Sequence, residues 1–93
     1  GFSIIYKEIA ASASETGFIN SGLPGEVITI IATVVGSGGK WTLDADGAGG
    51  VSTTWDRIIF DAAGETITLM FLSESVGWIQ IGNTNTDVER KSI

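Results

Sequence analysis

The chain has 93 residues, 43% hydrophobic and only 17% charged, with a net charge of -6 and neither cysteine nor histidine. One domain fits that length, and the missing residue types exclude a disulfide framework, a thiolate zinc site and any nucleophilic triad built on histidine or cysteine. Its five cations are scattered as Lys7, Lys40, Arg57, Arg90 and Lys91, which leaves no basic stripe for a phosphate backbone, so nucleic acid is not an expected partner.

No apolar run approaches the roughly 18 residues of a membrane span, so no membrane partner is expected; the longest, Val27 to Val35, is interrupted by Thr29 and Thr33. No segment resembles a signal peptide, and Ile5 stands where a myristoylation motif would place Ser or Thr. The amino-terminal glycine fits either a trimmed initiator methionine or a piece of a longer chain. A short chain this apolar should cover part of its exterior with another subunit.

In chain order, thirteen glycines, one proline and the absence of a 3.6-residue apolar period predict an all-β chain. Ser3 to Ile9 reads as a strand or extended arm, and Gly17 to Asn20 as a short strand. Ser21-Gly22-Leu23-Pro24-Gly25 is a turn, since Pro24 presets φ and Gly25 accepts a positive one. Val27 to Val35 is the strongest strand. Its apolar residues fall on both parities, which predicts a central strand covered on both faces. Gly36 to Gly39 is a flexible turn, and Lys40 to Ala45 returns with Trp41 and Leu43 on one face. Asp46 to Gly50 is a second glycine-rich loop, Val51 to Thr54 is β-prone, and Ile58 to Phe60 is another strand.

After the turn Asp61 to Gly64, residues Glu65 to Leu72 alternate, with Ile67, Leu69 and Phe71 on one side. Ser73-Glu74-Ser75 closes a hairpin with Val76 to Ile81, which carries Trp78. The polar stretch from Gly82 onward has no apolar period and reads as an arm or linker. The resulting division is an amino-terminal strand or arm over 1–15, a β domain over 16–82 and a polar arm over 83–93. The fold class is a small antiparallel β-sandwich or barrel-like module built from hairpins.

Gly25-Glu26-Val27-Ile28-Thr29-Ile30-Ile31 is nearly repeated as Gly64-Glu65-Thr66-Ile67-Thr68-Leu69-Met70. Each copy is followed by a glycine-containing break and a tryptophan, Trp41 or Trp78. This predicts one Trp-bearing hairpin used twice, a unit that cannot bury its own apolar face.

Chemistry-bearing patterns are sparse. Asp44-Ala45-Asp46-Gly47 opens like a calcium loop but lacks the later acidic positions, so a plain turn is expected and no metal or cofactor is assigned. Gly36-Ser37-Gly38-Gly39-Lys40 lacks phosphate-loop spacing and leads into a strand. Asp56-Arg57 reads as a local ion pair or loop anchor. No catalytic residue is assigned, and the chain is not expected to be an enzyme, a glycan-active one with two facing acids included. The tryptophans Trp41, Trp55 and Trp78 fit core or subunit interface better than a sugar platform. The expected interface residues are Tyr6, Phe18, Trp41, Trp55, Trp78 and Ile93, with the arms near Ile4, Ile5 and Ile93 as docking segments.

Several segments together carry a resemblance: Thr16-Gly17-Phe18-Ile19, Leu23-Pro24-Gly25-Glu26-Val27-Ile28-Thr29-Ile30, Trp41-Thr42-Leu43 and Ile58-Ile59-Phe60. The closing pattern, Ala63-Gly64-Glu65-Thr66-Ile67-Thr68-Leu69 with Gly77-Trp78-Ile79-Gln80-Ile81-Gly82, is its most characteristic part. Residues 16 to 82 thus resemble small β modules of tailed-bacteriophage virion proteins, of the head-decoration and tail-fibre or spike types. The resemblance implies a structural, cofactor-free role in the virion, a homo-oligomer expected to be a trimer, and capsid or tail proteins as partners. Head decoration is slightly favoured over a tail fibre, and a carbohydrate-binding or receptor-binding β module is the alternative.

Overall fold

The computed structural model describes residues 1–45, 54–84 and 86–90. Eight strands are present among them: β1 (Phe2–Ile9), β2 (Ser14–Phe18), β3 (Val27–Val35), β4 (Lys40–Asp44), β5 (Trp55–Phe60), β6 (Thr66–Phe71), β7 (Trp78–Thr84) and β8 (Asp87–Arg90). They form two four-stranded sheets, with orders β1-β3-β6-β7 and β2-β4-β5-β8, here called sheets A and B. The all-β, sandwich-like expectation holds. The sheets are mixed and not purely antiparallel, because β1 runs parallel to β3 and β2 parallel to β4.

Both parallel pairs have one cause. The β1–β2 and β3–β4 connections each carry the chain from sheet A to sheet B, and they run side by side. Gly36 N–H donates to the Ile9 carbonyl, Ser12 N–H to the Ser37 carbonyl and Lys40 N–H to the Ala13 carbonyl. Glycine is needed at Gly39 because a Cβ there would collide with the Ala10 carbonyl oxygen. The glycines read as a flexible turn are therefore a close backbone contact between two crossovers.

This connection also corrects the doubled-hairpin reading. β6 and β7 do form a hairpin within sheet A, whereas β3 pairs with β1 and β6, and its successor β4 lies in the other sheet. The repeat has a different geometric meaning. Thr29 and Thr68, equivalent positions 39 residues apart, face each other across the antiparallel β3/β6 pair with their hydroxyls 3.0 Å apart. Around this point the bonds are reciprocal. Gly25 N–H donates to the Phe71 carbonyl and Phe71 N–H to the Glu26 carbonyl; equivalently, Gly64 N–H donates to Ala32 and Ala32 N–H to Glu65. The repeated segments are thus related by a local pseudo-two-fold axis at the threonine pair.

Between the sheets lies one core: Ile28, Ile30 and Ala32 of β3, Ile67, Leu69 and Phe71 of β6, Trp78, Leu43, and Trp55, Ile58 and Phe60 of β5. The alternation read for Glu65 to Leu72 is the one observed. Trp55 Nε1 donates to the Trp78 carbonyl at 2.9 Å and joins the sheets, while Trp78 Nε1 donates to the Asn20 carbonyl at 2.7 Å and holds the crossover after β2. Both indoles are satisfied in the interior, as burial demands.

The ends are strands as well. Residues 1–15 supply β1 and the start of β2, and β1 is hydrogen-bonded into sheet A along its length. The segment expected as a polar arm supplies the end of β7 and then β8 on sheet B. An Asn83 side chain bonded to both backbone groups of Thr86 makes that turn, and the buried Thr86 hydroxyl donates to the Thr66 carbonyl. Polar residues suffice there because side chain to backbone bonds replace apolar contact.

Candidate assembly surface

The two turns of the repeat fix where the central strands of sheet A begin. Glu26 N–H donates to Leu23 O and Glu65 N–H to Ala62 O, with Gly25 and Gly64 at φ of 87° and 90°, the type II arrangement. Each glutamate then reaches back to its own turn. Glu26 Oε1 accepts from Leu23 N–H at 3.0 Å, and Glu65 Oε1 accepts from Asp61 and Ala62 N–H at 2.7 and 2.9 Å. The carboxylate that opens each strand is a turn lock, a role invisible in the repeat itself because the bonds run backwards in sequence.

With β3 so placed, its parity assigns every neighbour to a face. Ile28, Ile30 and Ala32 point into the core, so Val27, Thr29 and Ile31 point outward. Register then puts Phe2, Ile4 and Tyr6 beside them on β1, Met70, Thr68 and Thr66 on β6, and Ile79 on β7. None of these residues carries a charge. Phe2, Ile4 and Tyr6 are 64, 48 and 67% exposed, and Val27, Ile31, Met70 and Ile79 are half-buried. The expectation that β3 is covered on both faces is met within the chain on one face only.

The outer face of sheet B differs. It presents Ser14, Thr16 and the exposed Phe18 on β2, Lys40, Thr42 and Asp44 on β4, Arg57 and Ile59 on β5, and Asp87 on β8. Arg57 Nε lies 3.5 Å from Asp44 Oδ2. Arg57 thus reaches across the β4/β5 pair to Asp44. This is an ordinary hydrated face, and the apolar one is the anomaly.

Of the interface residues expected from sequence, Tyr6 lies on the apolar face and Phe18 on the opposite one. Trp55 and Trp78, 1 and 3% exposed, have no surface to offer a partner and are core residues. A large aromatic on a strand fits an interior as well as an interface, which is why the sequence left both open. Trp41 is half-buried, with Lys7 Nζ 5.0 Å from its ring centroid, Phe60 at 5.6 Å, and Gly17 packed against the indole. Ile93 lies outside the described residues. Ile4, expected with Ile5 as part of a docking arm, lies on the apolar face; Phe2 was not singled out, and its alternation with Ile4 and Tyr6 was the available signal.

A cavity of about 270 Å³ is lined by Thr54, Trp55, Ile79, Gln80 and Val88, none of which is ionisable. Among the described residues no group of three His, Cys, Asp or Glu side chains converges on a metal-sized site. Asp44 of the calcium-like sequence is the partner of Arg57, and Asp46 to Gly49 lie outside the described residues. No described helix is long and apolar enough to cross a membrane. Comparison with protein-family models, curated proteins and solved structures returns no match.

Proposed function

We propose that this chain is a non-enzymatic structural module of a tailed-bacteriophage virion that self-associates and docks on the particle, with head decoration slightly favoured over a tail fibre or spike. The phage assignment rests on the resemblance of residues 16 to 82, which implies a trimer and a capsid or tail protein as partner. One observation carries the assembly part: the outer face of sheet A is uncharged and largely apolar in a chain of net charge -6, while the outer face of sheet B carries Lys40, Asp44, Arg57 and Asp87. Surfaces of this kind mark protein contacts.

The carbohydrate-binding alternative needs an indole face open to a sugar ring. Burial of Trp55 and Trp78, and the cover of Lys7 and Gly17 on Trp41, weigh against it. Quantitative mass spectrometry of intact particles tests the reading directly. Hundreds of copies per particle are expected for decoration and a few for a tail component; absence from the particle overturns the virion role.

A further inference from the structure

We infer that β1 is a self-pairing edge: two copies join β1 to β1 antiparallel about a two-fold axis at Ile4, giving one continuous eight-stranded sheet. This rests on the self-association reading above and names its contact. The two-fold arrangement departs from the three-fold assembly that the resemblance implies.

The backbone supplies the first observation. β1 is one of the two edge strands of sheet A, β7 being the other, and Val27 N–H donates to the Gly1 carbonyl. Parallel pairing alternates, so Gly1, Ser3, Ile5 and Lys7 direct their peptide groups toward β3. Phe2, Ile4 and Tyr6 direct theirs away, to the open edge. Those are the residues whose side chains stand on the apolar face. With Ile4 opposite Ile4 of the second copy, Phe2 falls opposite Tyr6, and each pair exchanges two N–H···O=C bonds. The same register places aromatic beside aromatic on the outer face, a favourable cross-strand pair.

A second copy is the occupant for three reasons. Phe2 to Tyr6 contain no charge, proline or bulge, the devices that normally blunt an edge; the irregularity in β1 comes later, between Lys7 and Glu8. Two chains of net charge -6 repel, and that repulsion is weak at the uncharged Phe2 to Tyr6 edge. Ile5 is 42% exposed although its parity is that of the core side, and the register sets Ser3 and Ile5 of the two copies side by side beneath the joint.

The area fits the same arrangement. Four strands about 4.8 Å apart and about 25 Å long give a face of roughly 500 Å² in projection, short of the roughly 800 Å² per partner of a standard interface. Pairing through β1 doubles the continuous face to about 1,000 Å², enough for stable docking on a particle. The edge contact alone is small, so the pair should form in the range of about 10–100 μM.

The test combines sedimentation with cross-linking of the full chain, which has no native cysteine. Wild type is expected to sediment as a concentration-dependent dimer, and Ile4→Cys to form an intermolecular disulfide under mild oxidation. Ser75→Cys, in the β6–β7 loop, should not. Ile4→Pro removes the donor at the axis while leaving the β1–β3 bonds intact, and should weaken association at least about tenfold. Ile4→Lys, with circular dichroism confirming the fold, serves if the proline variant does not fold. A trimer unaffected by either variant overturns the β1 pairing and leaves self-association standing. A monomer at about 500 μM, well above the range set by the contact area, overturns both.

Discussion

Replacing Glu65 by alanine tests whether the carboxylate that opens β6 holds the preceding turn. Its side chain is 6% exposed, and Oε1 accepts from Asp61 and Ala62 N–H at 2.7 and 2.9 Å. Bonds to a charged acceptor contribute about 1.5–3 kcal/mol when the partner is buried. Asp61 and Ala62 are exposed, so water replaces part of the loss, and about 2 kcal/mol is the expected destabilisation. For a domain of this size that lowers Tm by about 8–16 °C. Glu26→Ala breaks one bond of 3.0 Å to the exposed Leu23 and should cost about 0.5–1 kcal/mol. Glu65→Gln keeps the acceptor without its charge and should fall between wild type and Glu65→Ala. Urea unfolding monitored by circular dichroism at one fixed protein concentration measures all three. Equal losses at Glu26 and Glu65, or a Glu65→Ala effect below about 0.5 kcal/mol, would refute the turn-lock argument.

Three further outcomes follow from the core and the crossovers. Thr29→Val and Thr68→Val should each cost about 1 kcal/mol by stranding the other hydroxyl, while the double variant costs less than their sum; additive losses in a double-mutant cycle would show no bond at the pseudo-axis. Trp55→Phe removes the bond to the Trp78 carbonyl and leaves a void, with an expected loss of about 2–4 kcal/mol and of a quencher-shielded, blue-shifted fluorescence component. Gly39→Ala should cost more than about 2 kcal/mol, because its Cβ meets the Ala10 carbonyl, whereas Gly64→Ala has free space around it and should cost only about 1 kcal/mol for its φ of 90°. Thermal unfolding distinguishes these last two, and equal shifts would refute the close-approach account.

The strands were legible wherever side chains alternate against a single core. Ile67, Leu69 and Phe71 are fully buried on one parity, and Pro24-Gly25 and Gly64 stand in turns. Pairing was not legible. β3 and β4 read as a hairpin because the glycines between them permit a tight reversal, yet those glycines instead admit the neighbouring crossover. The carboxy-terminal strand escaped notice because its turn is held by Asn83 and Thr86, which leave no hydrophobic period. The role of Glu65 was hidden for a related reason: a carboxylate facing backbone donors three and four residues earlier has no signature in composition.

The excess of apolar residues did point to an uncovered surface, but Trp55 and Trp78 fall on the core side of the core-or-interface reading and do not mark it. Large aromatics offer the greatest gain on burial, so a small chain places them first in its own core, and Trp55 and Trp78 lie there. What remains for a partner is the second parity of strands that are apolar on both sides: Val27 and Ile31 behind Ile28 and Ile30, and Phe2, Ile4 and Tyr6 on the edge beside them. The pseudo-two-fold at Thr29 and Thr68 makes the centre of that face regular, and both hydroxyls there are bonded to each other. Two hydroxyls that satisfy one another need less from water, so the threonines at the middle of the face resist burial less than their polarity suggests. A face of this construction is suited to being covered, and the open peptide groups of β1 provide the direction from which a second copy can extend it.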